Sequence, residues 1–279
     1  MNSRGALSAS VSSSSEIADF KPRKVALPRW AMDVLLPLAT GLAFVGLWEF
    51  ACRQFDVPSY LIPAPSAIWA DATKNAGMIA GHTLATLWTV MLGFVASIVV
   101  SLPLAVAIVS TPIMANTIYP LLVLTQSIPK VALAPVLVVL LGTNEMPRVV
   151  ITFLVAFFPL VLAIATGLNA VPAELIELGR VCRASRWKEL VRIRLPYAIP
   201  FIFSGLKAAI TLSVVGAVVA EFVNADRGLG YLIVTSTAFF QVPTAWGALI
   251  VLSLIGIVLF QMVVVVERVF FPWALSSSS

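Results

Sequence analysis

Charge is what this sequence has least of. Asp, Glu, Lys and Arg make up 11% of its 279 residues, against roughly a quarter in soluble domains. Such a chain cannot clothe a water-soluble surface. The lone histidine, His82, excludes a multi-histidine metal centre, and neither a His-Glu-x-x-His pair nor a Gly-x-Ser-x-Gly elbow is present. These absences argue against catalysis, a metal site or a bound cofactor. There is also no Gly-x-x-x-x-Gly-Lys-Ser/Thr loop to cradle phosphates, so any ATP that drives this chain binds another subunit. The two cysteines, Cys52 and Cys182, lack metal-ligand spacing and fall near opposite faces of the topology derived below, which argues against a disulfide. A formal charge of +5 could suggest nucleic acid, but the basic residues lie beside apolar runs without interleaved aromatics, so no nucleic-acid partner is expected.

Apolar residues fill the space that charge leaves, at 60% of the composition with a mean hydropathy of +1.00. A bilayer crossing needs about 20 apolar residues. Runs of that length lie at 32–52, 84–109, 116–141, 147–168, 201–222 and 245–266, which predicts an all-α polytopic membrane protein with about six transmembrane helices. Residues 1–30 are Ser-rich, then basic, and read as a disordered cytoplasmic tail. The first apolar run starts too late for a cleaved signal peptide. The transmembrane domain covers 31–272, with a short tail at 273–279. Within it, 53–81 reads as an outer, periplasmic segment, extended through its prolines and then helical along the interface.

Six crossings put Arg4, Lys21, Arg23, Lys24, Arg29, Arg268 and a basic loop at 169–200 on one side, leaving Arg53, Lys74, Arg148 and Arg227 on the other. That asymmetry places both termini and the loop in the cytoplasm, in a multi-pass protein of the cytoplasmic membrane. The third run is interrupted by Pro129, Lys130 and Pro135 and predicts a broken helix. Lys130 is then an intramembrane charge expected to face the bundle interior. It is either a pathway residue attracting a polar or anionic solute, or a lysine snorkelling to the headgroups. Glu221 closes the fifth run before a glycine-rich turn. It either gates the outer end of a pathway, or caps its helix and pairs with Arg227.

The chain is organised around Glu174–Pro200, a charged island between apolar runs. Pro172 and two following glutamates favour a helix start. Leu175, Leu178 and Cys182 form one apolar stripe, and Trp187, Leu190, Val191 and Leu195 form another, so two short amphipathic helices are expected, the second ended by Pro196 and Pro200. A basic loop that only touches lipid headgroups is the simpler alternative. Glu177 and the Ile193-x-Leu195-Pro196 ending resemble the EAA loop of ABC-transporter permeases, the segment that docks into a cytoplasmic ATPase. Where the family pattern has Glu-Ala-Ala and, after three more residues, glycine, this chain has Glu177, Leu178, Gly179 and Arg183. Arginine adopts a positive φ at a cost of roughly 1 kcal/mol, which favours a reshaped turn or a continued helix.

The resemblance extends to Pro-Ser-Tyr-Leu-Ile-Pro-x-Pro from Pro58, Ile-Pro-Lys-Val-Ala-Leu-Ala-Pro from Ile128, and Gly-Leu-Gly-Tyr from Gly228. Together these look like the nitrate, sulfonate and taurine branch of importer permeases. The resemblance implies the type I, MetI-like fold in the cell inner membrane and a homodimer in the lipid bilayer. It also implies a cytoplasmic ABC ATPase and a periplasmic or lipid-anchored substrate-binding protein. The solute would be small and polar or anionic, or a pyrimidine or vitamin precursor. The implied coupling residues are Glu177, Arg180, Arg183, Arg186, Trp187, Ile193, Leu195 and Pro196, with Lys130 and Glu221 on the pathway. The rivals are an ATP-independent carrier or channel using Lys130 and Glu221, and a membrane scaffold without transport.

Overall fold

The computed structural model describes residues 29–273. The expected tails, with Arg4, Lys21, Arg23 and Lys24, lie largely outside the described residues. Within them the chain forms helices joined by short connections. The boundary between two units of the chain falls after Leu47, inside the first helix, α1 (Arg29–Gln54). An extended, proline-rich stretch then leads to α2 (Pro65–Lys74), the helix expected after Pro58–Pro63. α2 has no cap from its own N-cap residue, Ala64. Glu49 takes that role, accepting bonds from Ser66 N (3.0 Å), Ser66 Oγ (2.7 Å) and Arg53 Nε (2.5 Å). A carboxylate at a helix N-terminus meets both the orphan N–H groups and the positive end of the dipole.

Among the described residues, five helices have the length and apolarity of a membrane crossing, and a bent helix pair makes a sixth when its two halves are counted as one span. The single crossings are α1, α3 (Ala76–Ser110), α6 (Met146–Asn169), the helix ending in α9 (Leu195–Val223), and α11 (Val242–Phe270). The bent pair is α4 (Pro112–Gln126) and α5 (Ala134–Leu141), joined by a 3-10 turn over Lys130–Leu133 and angled at 83°. The predicted break therefore exists, and it sits at Pro129, which has no N–H to continue the ladder. α7 (Ala173–Val181) and α8 (Arg186–Glu189) form the charged island, and α10 (Leu229–Ala238) lies between the last two crossings. Periodicity gave no separate sign of α10, an apolar run too short to span.

α3, α6 and α9 make the core. Half of the apolar span that ends in α9 is buried, against 11% of α11. Hydrocarbon offers no hydrophobic drive between helices, so close packing of small residues supplies the contact. Thr152 of α6 is fully buried where the three helices meet. A Cβ on Gly93 of α3 would overlap the Thr152 methyl, and one on Gly216 of α9 would lie 3.1 Å from Thr152 Cα. Only glycine admits this approach. One ion pair crosses to the periphery: Lys207 Nζ of α9 lies 2.5 Å from Glu267 Oε2 of α11, whose side chain is 5% exposed. Neither residue drew notice in the sequence, although a lysine within an apolar run asks for a partner.

Candidate functional sites

Polar side chains gather at the two ends of the helical core. At one end, α6 passes into α7 through only Ala170, Val171 and Pro172. Pro172 fixes an extended entry (φ −54°, ψ 139°) and Glu174 lies in the first turn of α7. Gly179 faces Ile193, where a Cβ would come 2.8 Å from Ile193 Cδ1, so the two arms of the island pack at this glycine. α7 ends in a Schellman turn: Ala184 N donates to Gly179 O (2.9 Å) and Arg183 N to Arg180 O (2.9 Å), with Arg183 at φ 52°. Arginine thus occupies the left-handed position that favours glycine. The turn is neither reshaped nor replaced by helix, because two backbone bonds and the Gly179 packing outweigh a penalty of about 1 kcal/mol.

Ser185 caps α8, accepting from Lys188 N at 3.3 Å. The second arm does not stop at Pro196 and Pro200 as expected. It runs as one helix over Arg186–Val223, with Pro196 in the first turn of α9 and Pro200 inside it. A wider π turn over Leu190–Arg194 explains the continuity. Leu195 N bonds to Leu190 O, so the ladder has already shifted register where the proline ring needs room and lacks a donor.

Arg194 fastens the island to the core. Its Nε donates to Glu189 Oε1 (2.8 Å) and one terminal nitrogen to Leu168 O in the last turn of α6 (3.2 Å), where a cation meets the negative helix end. Arg194 belongs to the basic cluster, but its fastening role needs coordinates to see. Glu177, Arg180, Arg183, Arg186 and Trp187 are exposed, Trp187 by 71%. Leu178 (59%) and Val181 (80%) are exposed beside them. Ile193 and Leu195 are half-buried, tying the arms together rather than lining the outer face. A groove of about 570 Å³ includes Arg180, Arg186 and Trp187 and runs to Ser110 and Thr111 at the end of α3.

The far end is built inward. Glu221 is 2% exposed and accepts from Thr86 Oγ1 (2.9 and 3.1 Å) and Gly230 N (2.7 Å). Thr86 in turn accepts from Leu229 N (2.8 Å), and His82 Nδ1 accepts from Gly228 N (3.0 Å). Gly228, at φ 124°, brings the backbone so close that a Cβ would fall inside the Glu221 carboxylate. The cluster therefore pins the start of α10 to α3 and α9. Glu221 does not pair with Arg227, which bonds to Glu145 instead. The sequence reading also overlooked Glu145 and Thr86. Lys130 is separate from this cluster: it sits half-buried at the broken span, bonding to Gln126 O (3.4 Å) with its Nζ 4.9 Å from the Phe158 ring centroid. Cys52 and Cys182 are free thiols.

A long helix core, one crossing broken at a proline, and a charged helix pair rigidly joined to two crossings are features of a transport permease. The family of binding-protein-dependent transport system inner membrane components matches residues 97–272, and the chain belongs to that family. It is an ABC-type permease, a multi-pass membrane transport component.

Among its relatives, a probable ABC transporter permease protein of Haemophilus influenzae is 30% identical over 81% of this chain and 93% of its own. The formylaminopyrimidine transport permease protein ThiX of Halalkalibacterium halodurans is 30% identical over 86% of this chain and 96% of its own. The taurine transport system permease protein TauC of Escherichia coli is 25% identical over 88% and 92%. The fold matches that of the MetNI methionine ABC transporter with a TM-score of 0.63, covering 70% of this chain and 97% of that one at 18% identity.

Proposed function

We propose that the chain forms the membrane pathway of an ATP-driven importer, with α7 and α8 as the surface that receives a separate cytoplasmic ATPase. The observation that carries this reading is a charged helix pair that exposes Trp187, Leu178 and Val181 among arginines while being fixed to the core by Arg194. Exposed apolar side chains ringed by charge mark a protein interface. A loop that touched only headgroups would have no use for rigid attachment at both ends. Glu177 is the proposed polar contact to the ATPase, with Arg180, Arg186 and Trp187 on the adjoining surface. Arg183 holds the turn, and Ile193, Leu195 and Pro196 hold the second arm.

Both termini and this surface then lie in the cytoplasm, and α2 and α10 face the periplasm, where a binding protein delivers solute. Two copies form the pathway in the bilayer, and closure of the ATPases rocks the core helices between two access states. The permease domain covers 31–272. The solute is small and polar or anionic, or a pyrimidine or vitamin precursor. Lys130 and Glu221 belong to the pathway walls, Lys130 at the break and Glu221 by holding α10. Family membership weighs against an ATP-independent carrier built on these two residues.

The test is co-purification in mild detergent from the native host, comparing the intact chain with one lacking residues 174–195, with membrane insertion verified for both. An ATPase recovered with the first and lost from the second is the expected result. No ATPase with either, after crosslinking, would overturn the assignment.

A further inference from the structure

The groove of about 570 Å³ beside the charged island is lined by Arg180, Arg186, Arg194 and a single carboxylate, Glu189. Glu189 is taken by Arg194 at 2.8 Å, so those two charges cancel. Among the described residues, Arg180 and Arg186 enter no ion pair, and both are exposed. Their positive charge stands uncompensated at the groove. Thr111 adds a donor: its hydroxyl oxygen accepts from Met114 N (3.3 Å), which leaves its own O–H to give. Together these groups call for an anion.

The position of the groove says which anion. α3 ends at Ser110 and α4 begins at Pro112, so the Ser110–Thr111 turn parts an apolar run that ends at Val109 from one that resumes at Ile113. A short uncharged turn between two such runs sits where hydrocarbon gives way to headgroups. Val109 and Val106 line the groove beside it, Val106 about 6 Å further into the apolar run. Trp187, on the α8 wall, is 71% exposed, and tryptophan favours the headgroup level. One groove thus joins cations and a hydroxyl to apolar surface leading into the bilayer.

We propose that this groove binds an anionic glycerophospholipid, with Arg180 and Arg186 on the phosphate oxygens, Thr111 donating to the same group, and the acyl chains along Val109 and Val106. Basic pockets beside transmembrane helices on the cytoplasmic side suit such headgroups. A zwitterionic lipid brings an ammonium group toward the same arginines, whereas phosphatidylglycerol brings net negative charge. A soluble phosphate makes no use of the valine surface. The bound lipid ties the α3–α4 turn to the island. Glu177 and Val181 do not line the groove, and they stay available to the ATPase. The inference rests on the importer reading for the leaflet, the cytoplasmic one, and adds a lipid to the partners of the island.

Native mass spectrometry of the protein purified in mild detergent, with whatever subunits accompany it, tests the groove against added phosphatidylglycerol, phosphatidylcholine and glycerol 3-phosphate. Phosphatidylglycerol is expected to bind saturably, about ten-fold or more tightly than phosphatidylcholine, and to resist displacement by excess glycerol 3-phosphate. Arg180→Gln combined with Arg186→Gln is expected to weaken it about ten-fold or more. Lys188→Gln combined with Arg192→Gln removes the same charge from the island outside this groove, and is expected to change binding far less. Ser110→Trp fills the groove, leaves every charge in place and is expected to abolish the preference. It decides the matter alone where the double arginine variant fails to insert. No preference over phosphatidylcholine, displacement by glycerol 3-phosphate, an equal loss from the Lys188 and Arg192 changes, or wild-type binding by Ser110→Trp would overturn the site. An ATPase-bound permease without lipid preference refutes only this groove, whereas lipid preference without any ATPase partner refutes only the coupling assignment.

Discussion

The two ends of the helical core use similar residues in opposite ways. At the α7–α8 end, Glu177, Arg180, Arg186 and Trp187 point outward and are exposed. At the Glu221 end, a carboxylate, a threonine, a histidine and three backbone N–H groups turn inward and satisfy one another. A polar group left facing out keeps its interaction free for a second molecule, while a group buried and bonded holds shape. Stability should therefore respond to changes at the Glu221 end and within the core, and coupling to changes at the α7–α8 end.

The sharpest break of that division is expected inside the core. Lys207→Met leaves Glu267 buried without its cation, and the expected loss is about 3–5 kcal/mol, seen as a large fall in melting temperature in detergent. The double change Lys207→Met with Glu267→Met should recover most of it. Next in size, Thr86→Val removes the donor to Glu221 and the acceptor for Leu229 N. A loss of about 1–3 kcal/mol is expected, with ATPase co-purification retained. Glu177→Lys should do the reverse, leaving melting unchanged while lowering ATP-driven uptake roughly ten-fold, the worth of one charge-assisted contact. Unchanged uptake in a correctly inserted protein would remove Glu177 from the interface. The smallest effect belongs to Arg183→Gly, which relieves the positive φ and should raise stability by about 1 kcal/mol without altering the turn.

The crossings and the broken third span were legible because hydrocarbon imposes its demand residue by residue: apolar runs of sufficient length, interrupted at Pro129. The charged island was legible for the converse reason. Its junction with the fifth crossing was misread because Pro196 and Pro200 signal helix ends only when the ladder keeps its ordinary register, and the π turn before them changes it. Lys207 with Glu267, and Thr86 with Glu221, pair residues 60 and 135 positions apart, and no local pattern announces such partners. The Gly228–Tyr231 run was recognised from the resemblance, but its physical reason, the absence of room for a side chain beside Glu221, needs the fold.

The helix over Arg186–Val223 contains 38 residues. At 1.5 Å per residue it is about 57 Å long, and it carries Trp187 at one end and Glu221 at the other. It is a single lever arm. A tilt of about 5° imposed at Trp187 would sweep the Glu221 end by about 5 Å, close to one helical turn. The threonine and glycine contacts of Glu221 would then be the first to register a push applied on the opposite side of the membrane.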